Sequence, residues 1–461
     1  MPSSGVATLF EHQTRGYAEL GWSPVHPMIR SLDTLNRAAG HEVVRLERSG
    51  IRALEYVGVF RVGSHTLQVL PKVDFEPSGD PDAEYGSGSR ALAARSASSN
   101  LLEMVSYAYE FPIRNVHVAG LQTARGSWLE ILTRLFASEL HSLVQRGIER
   151  YYIPVQETSN VLRGRWEIEK QLIRRPHQRH LFDIVRDEFS ENTPLNRVLK
   201  YTTERLLAAS SDPRNRALLM DLREWFSEVS SLPSIGLHDL RQVAFTRLND
   251  RYAPAFNMAR LLIDGEIAHL RAGSEELTAF ALDMNLLFER FVAGLATRFS
   301  REILPEPWRG YALVTQMKNR PTYLLERLPQ HTQEYRVVPD ICVLDSRGRV
   351  QAIIDTKYKE MEEGPRGHGP SEADLYQLLA YCSRLGCHAA ALLFPSSKRA
   401  PGGSAIFTAI EGPQSLVVDT IDLHSPLGHP KPLIDGLRAL FSQLRFMQER
   451  ELVDHGAPEA V

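Results

Sequence analysis

Residues 335–360, YRVVPDICVLDSRGRVQAIIDTKYKE, set ionisable side chains where the surrounding pattern demands apolar ones. The segment reads as two apolar strands, VVPDICVL and VQAIIDTKY, joined by a turn at Asp345-Ser346-Arg347-Gly348. Side chains alternate along a strand, so Asp355 and Lys357 share a face. With Ser346 and Arg347 as a two-residue loop, Asp340 stands opposite Ile353 on that face, diagonal to Asp355. A one-residue slip would turn Asp340 to the other face, so this register is a definite expectation. The competing reading makes Asp355 and Lys357 an exposed pair on a half-buried strand. Lysine scarcity weighs against it: the chain has only 8 lysines among its 53 basic residues, and two of them lie in DTKYK.

Two aspartates and a lysine so placed suit one kind of chemistry. Carboxylate oxygens favour Mg²⁺, a hard cation that keeps waters and binds phosphate oxygens, which makes Asp340 and Asp355 the candidate ligands. A metal there lowers the pKa of a bound water and offsets charge on a phosphodiester. Lys357 would orient the attacking water or neutralise the developing phosphorane charge. Upstream, Glu289 on the helix of LDMNLLFERF is a candidate third carboxylate, or else a surface acid beside Arg290. Downstream, Gln377 and Tyr381 in DLYQLLAYCSRLG share a helix face. Facing the strands, they would hydrogen-bond a substrate strand or orient Lys357; the plainer alternative for Tyr381 is core packing.

The chain around this segment, 461 residues long, divides by pattern. Residues 1–75 read as a small β-rich domain, with strands in EVVRL, IRALEYVGVFRV and HTLQVLPK and turns at Ser49-Gly50 and Gly63-Ser64. In residues 76–99, 11 of 24 positions are Gly, Pro or Ser, which predicts a flexible linker or insertion. Residues 100–273 read as mostly helical, with helices in WLEILTRLFASELHSLVQRG, NTPLNRVLKYTTERLLAAS and APAFNMARLLIDGEIAHLRAG and a short extended piece at RYYIPVQ. Arg163 to Arg179 carries six basic residues against two acidic ones, a solvated face or a DNA- or partner-facing patch. From Glu275 to about 450, a helix over ELTAFALDMNLLFERFVAGLATRF leads into alternating strands and helices, the mark of an α/β domain. The fold class expected is therefore α+β multidomain.

Several functions are excluded. No lysine follows a glycine, so the chain has no Gly-Lys-Ser/Thr phosphate loop and is not itself a P-loop NTPase. Three cysteines make neither a disulfide framework nor a four-cysteine zinc site. A net charge of −3 argues against a polybasic nucleic-acid coat, though not against a local basic face. With no signal-peptide pattern and no apolar run of membrane-spanning length, the expected location is cytoplasmic, without membrane contact.

Asp340, Asp355-x-Lys357 and Gln377-x-x-x-Tyr381 resemble the PD-(D/E)xK nuclease superfamily, and the Gln-x-x-x-Tyr helix is similar to its RecB-type members. EYVGVFRVGSHTLQVLPK, VLRGRW, DEFSENTPLNRVLK and FTRLNDRY, followed by that segment, resemble the McrC family, the nuclease subunits of McrBC modification-dependent restriction systems. The resemblance implies a C-terminal restriction-endonuclease-like domain that cuts double-stranded DNA with Mg²⁺. It implies a partner too, an McrB-like AAA+ hexamer that hydrolyses GTP, bound and stimulated by the N-terminal half of the chain. By the same resemblance Asp340, Asp355 and Lys357 carry over as catalytic, with Glu289 beside them. Two alternatives stand: a stand-alone RecB-like repair nuclease, and a non-cleaving adaptor that activates a partner NTPase.

Overall fold

The computed structural model describes residues 6–23, 25–72, 87–113, 127–265, 268–272, 275–317, 321–364, 367–396, 404–410, 412–423 and 425–454. The chain forms two compact units: Met1–Thr123 with Ala268–Val461, and Ala124–Ile267.

In the first unit, the β-rich reading of the N-terminal segment is met by a five-stranded sheet. Its order is Val6–Phe10, His65–Leu70, Tyr56–Val62, Glu275–Asp283, Ala268–Ala272. Gly63 and Ser64 form the two-residue turn between Tyr56–Val62 and His65–Leu70, with Val62 paired to His65 and Gly63 at φ 57°. IRALEYVGVFRV splits between two sheets: Gly50–Ala53 pairs with Thr14–Gly16 and Val44–Leu46 in a small sheet of its own. One core of Leu9, Leu32, Ile51, Phe60, Leu67 and Leu277 joins both sheets to the helix Pro27–Ala39.

Two expectations are corrected. ELTAFALD is a strand, not the start of a helix: Glu275–Asp283 pairs antiparallel with Tyr56–Val62, and the helix begins only at Met284. Leu277, Ala279, Phe280 and Leu282 are all buried, so both faces are covered and no period-two pattern survives to read. The second correction concerns the linker. Residues 73–86 lie outside the described residues, but 87–99 open the helix Ser87–Ala108; ALAARSAS is rich in alanine, the best helix former, which a Gly/Pro/Ser count ignores.

This unit also holds a six-stranded sheet in the order Ala312–Thr315, Ile341–Leu344, Val350–Thr356, Ala389–Pro395, Ser415–Ile421, Ala405–Thr408. Its centre is parallel and its outer pairs antiparallel. The helix Glu372–Leu385 provides the crossover between Val350–Thr356 and Ala389–Pro395. Ile353, Leu378, Cys382, Ala390, Leu392 and Phe394 pack in one core beneath it. All three cysteines are buried and free.

The second unit packs the helices Trp128–Val144, Pro194–Ala209, Pro213–Trp225 and Ala253–Asp264. It also holds a three-stranded sheet, Tyr151–Ser159, Phe182–Ser190 and Arg165–Trp166, where the sequence suggested only one short extended piece. The third predicted helix stops at Gly265, and AHLRA is a strand of the other unit. Thr193 caps Pro194–Ala209 through the Asn196 amide at 3.2 Å. Asn196 donates to the Glu149 and Glu191 carbonyls at 2.8 Å, and Asn249 to Glu149 Oε1 at 3.1 Å. The distant stretches DEFSENTPLNRVLK and FTRLNDRY thus meet at Glu149. Among the described residues no helix is long and apolar enough to cross a membrane.

Candidate active site

The hairpin carrying Asp340 and Asp355 has a different register from the one expected, and the difference brings the two acids closer. Asp345 pairs through its amide with the Arg349 carbonyl, which leaves Ser346, Arg347 and Gly348 as a three-residue loop with Gly348 at φ 74°. A second shift, a bulge between Val343 and Leu344, follows in the strand. Two one-residue shifts restore the parity, so Asp340 keeps its face. Ile341 pairs with Ile354, which puts Asp340 across from Asp355 rather than from Ile353. Asp345 explains the longer loop: its carboxylate accepts from the Arg347 and Arg349 amides at 2.8 and 2.9 Å.

Asp355 is 3% exposed, which rules out the exposed-pair reading. Lys357 Nζ lies 2.6 Å from Asp355 Oδ2 and donates to Gln377 Oε1 at 2.8 Å; Gln377 Nε2 in turn donates to the Tyr381 hydroxyl at 2.9 Å. The helix face predicted to orient Lys357 does meet it. Asp340 Oδ2 accepts from both the amide and the hydroxyl of Thr356, each at 2.7 Å. Glu289 accepts from Gln316 Nε2, and the Gln316 amide donates to the Asp340 carbonyl at 3.0 Å. All six predicted residues, Glu289, Asp340, Asp355, Lys357, Gln377 and Tyr381, line one cleft of about 440 Å³.

Electrostatics agree with this convergence. Burial, and then the neighbouring Asp355 and Glu289, push the Asp340 carboxyl from 3.8 up to about 7. Burial also raises Asp355, against the pull of Lys357. For Lys357, burial works against its charge, but the carboxylates led by Asp355 outweigh it and raise its pKa. Shifts of this kind gather where carboxylates are forced together in a cleft.

Sequence reasoning missed Thr356 and Gln316. Thr356 lies inside the motif, but its role needs the register. Gln316 sits at φ 53°, a left-handed conformation that no sequence pattern marked. Lys359, noted only for its rarity, pairs with Asp374 at 2.7 Å. Asp374 closes the capping box of Glu372–Leu385 with Ser371, so the strand and helix bearing the site are tied at two points.

Comparison with known proteins follows the same line. Curated proteins give no match. A chain of the refined half-complex from a tetradecameric assembly of Thermococcus gammatolerans McrB AAA+ hexamers with bound McrC is similar in fold. Its TM-score is 0.60 at 23% identity, covering 95% of this chain and 100% of that one. A chain of the cryo-EM structure of the Thermococcus gammatolerans McrBC complex is 26% identical over 64% of this chain and 87% of that one, with a TM-score of 0.48. The family model described as McrBC 5-methylcytosine restriction system component matches residues 51–395. By that match, over most of its length, the chain belongs to the McrBC 5-methylcytosine restriction system component family.

Proposed function

We propose that this chain is the DNA-cleaving, McrC-type subunit of an McrBC-like defence system. In this reading it is a Mg²⁺-dependent endonuclease that hydrolyses phosphodiester bonds of double-stranded DNA and works with an McrB-like AAA+ NTPase. The observation that carries the reading is the convergence of Asp340, Asp355 and Lys357 in one cleft, with Glu289, Gln377 and Tyr381 around them.

The donor set fits Mg²⁺. It consists of hard oxygens, and buried Asp355 Oδ2 is engaged by the Lys357 ammonium at 2.6 Å. Both Thr356 bonds to Asp340 fall on Oδ2 and leave Oδ1 unengaged by that residue. Among the described residues no three acidic, histidine or cysteine side chains form a ready metal cage; Mg²⁺ commonly takes one or two carboxylates and completes its shell with water and substrate phosphate. Bound between Asp340 and Asp355, it would supply Lewis acidity toward the phosphodiester and a more acidic water. Lys357, kept cationic by its carboxylates, faces the cleft to stabilise charge on the phosphoryl oxygens. Gln377 and Tyr381 hold that ammonium in place.

The second unit is the proposed partner-binding region. Around its sheet, Tyr151, Tyr152, Phe189, Leu172 and Ile173 are exposed, at 54% to 85%, beside the arginines of 163–179; aromatic and arginine side chains are the usual anchors of protein interfaces. The test is to incubate the chain with DNA and Mg²⁺, with and without the AAA+ partner, with Lys357 intact or as Lys357→Ala. Cleavage that needs both partner and lysine is expected. Lysine-dependent cleavage by the chain alone would instead indicate an independent nuclease. Stimulated NTP hydrolysis with no lysine-dependent cleavage would indicate an adaptor.

A further inference from the structure

Beyond Thr356 the chain is gripped alternately from two sides. Lys357 and Lys359 reach the helix Glu372–Leu385, through Gln377 and Asp374. Tyr358 and Glu360 reach the N-terminal domain instead: the Tyr358 hydroxyl donates to Glu11 Oε2 at 2.9 Å, and Lys72 Nζ lies 3.4 Å from Glu360. The Tyr358 ring also lies 5.5 Å from that of Phe288, the residue before Glu289.

Glu11 is the unusual member of this set. It is 2% exposed at the end of the strand Val6–Phe10, and its Oε1 is buried without a hydrogen bond; the His12 ring, whose pKa burial lowers, has its Nε2 3.7 Å away. An apolar residue would fill that place at lower cost, since a buried unsatisfied carboxylate oxygen is destabilising. What the carboxylate supplies is an acceptor for the hydroxyl of the residue next to Lys357.

We propose that Glu11 is a positioning residue for Lys357: by holding Tyr358 from the N-terminal sheet, it sets the course of the chain that presents the lysine to the cleft. The inference rests on the nuclease reading above. It makes the N-terminal sheet part of the cleavage apparatus as well as a neighbour of it, although Glu11 and Tyr358 are 347 positions apart in sequence.

The test uses the full chain with its AAA+ partner, Mg²⁺ and linear duplex DNA containing 5-methylcytosine. Glu11→Ala and Tyr358→Phe are expected to lower kcat by roughly ten- to a hundredfold, as a displaced catalytic group does, with KM for DNA and stimulation of NTP hydrolysis unchanged. Glu11→Gln keeps an acceptor for Tyr358 and should recover most of the rate. Hydrogen exchange at the Lys357 amide, which donates to the Leu393 carbonyl at 2.9 Å, should quicken in Glu11→Ala and Tyr358→Phe but not in Glu11→Gln. Full kcat in Tyr358→Phe would overturn the proposal, as would equal losses in Glu11→Gln and Glu11→Ala. Wild-type cleavage by Lys357→Ala would instead overturn the nuclease reading itself.

Discussion

Lys357 Nζ lies 2.6 Å from Asp355 Oδ2, two residues away on the same strand face, with the lysine side chain 21% exposed and the aspartate 4%. A cation at the cleft mouth therefore compensates an acid beneath it.

Lys357→Ala should lower cleavage by roughly a hundred- to a thousandfold, the usual cost of removing one donor that stabilises developing charge. It should also destabilise the fold by roughly 3 kcal/mol, because Asp355 is left buried without its cation. The double variant Lys357→Ala, Asp355→Asn should recover the melting temperature but not cleavage. If the double variant melts no higher than the single one, the ion pair does not compensate Asp355.

Asp340→Ala should abolish cleavage and leave stimulation of the partner's NTP hydrolysis intact, since Asp340 lies in the first unit and the proposed partner surface in the second. Parallel assays of DNA cutting and NTP hydrolysis decide this. Loss of both activities together would count against separate surfaces.

Gln316→Gly separates strain from function. At φ 53° a non-glycine residue carries strain on the order of 1 kcal/mol, which glycine relieves while adding unfolded-state entropy of similar size. Stability should stay within about 1 kcal/mol of the wild type. Cleavage should fall, because Glu289 loses the Gln316 amide that holds it. A variant that cuts DNA at the wild-type rate would remove Glu289 positioning from the account.

Stability should carry an acidic signature from Glu11. Burial raises its pKa from 4.5 to about 7, so the folded state binds this proton more tightly than the unfolded chain does. The contribution is complete below about pH 4.5 and is lost as pH rises through about 7, a change of about 3 kcal/mol. Melting of wild type and Glu11→Gln across that range checks it: the difference should grow in favour of Gln as pH rises. Parallel curves would mean that Glu11 is not held protonated.

Gly294 lies in the helix Met284–Arg298, where alanine is ordinarily the better residue by about 1 kcal/mol. A Cβ at this position would stand 2.2 Å from the Tyr107 carbonyl oxygen. Gly294→Ala should therefore destabilise, by roughly 1–3 kcal/mol, and displace the helix that carries Glu289. A higher denaturant midpoint for the variant would show that the two helices can separate cheaply.

Much of the site was legible in the chain itself. Spacing of two in a strand and of four in a helix put Asp355 with Lys357 and Gln377 with Tyr381, and those pairs do share faces, because both periods are properties of the backbone alone. The strand Glu275–Asp283 was not legible. Its alanine and leucine content favours a helix, and only pairing with Tyr56–Val62, some 220 residues earlier, makes it extended. The register of Asp340 was half legible: its face followed from parity, while its true partner depended on a loop and a bulge set by the Asp345 carboxylate.

By itself the sequence determined which residues make up the candidate site, the face each one takes within its own element, and the absence of a phosphate loop. Local periodicity and side-chain chemistry suffice for these. Tertiary structure alone decided that Gln316 holds Glu289 and that Glu11 reaches Tyr358. Each of these contacts joins segments brought together by burial of a shared core, and the free energy of that burial belongs to no single stretch of chain.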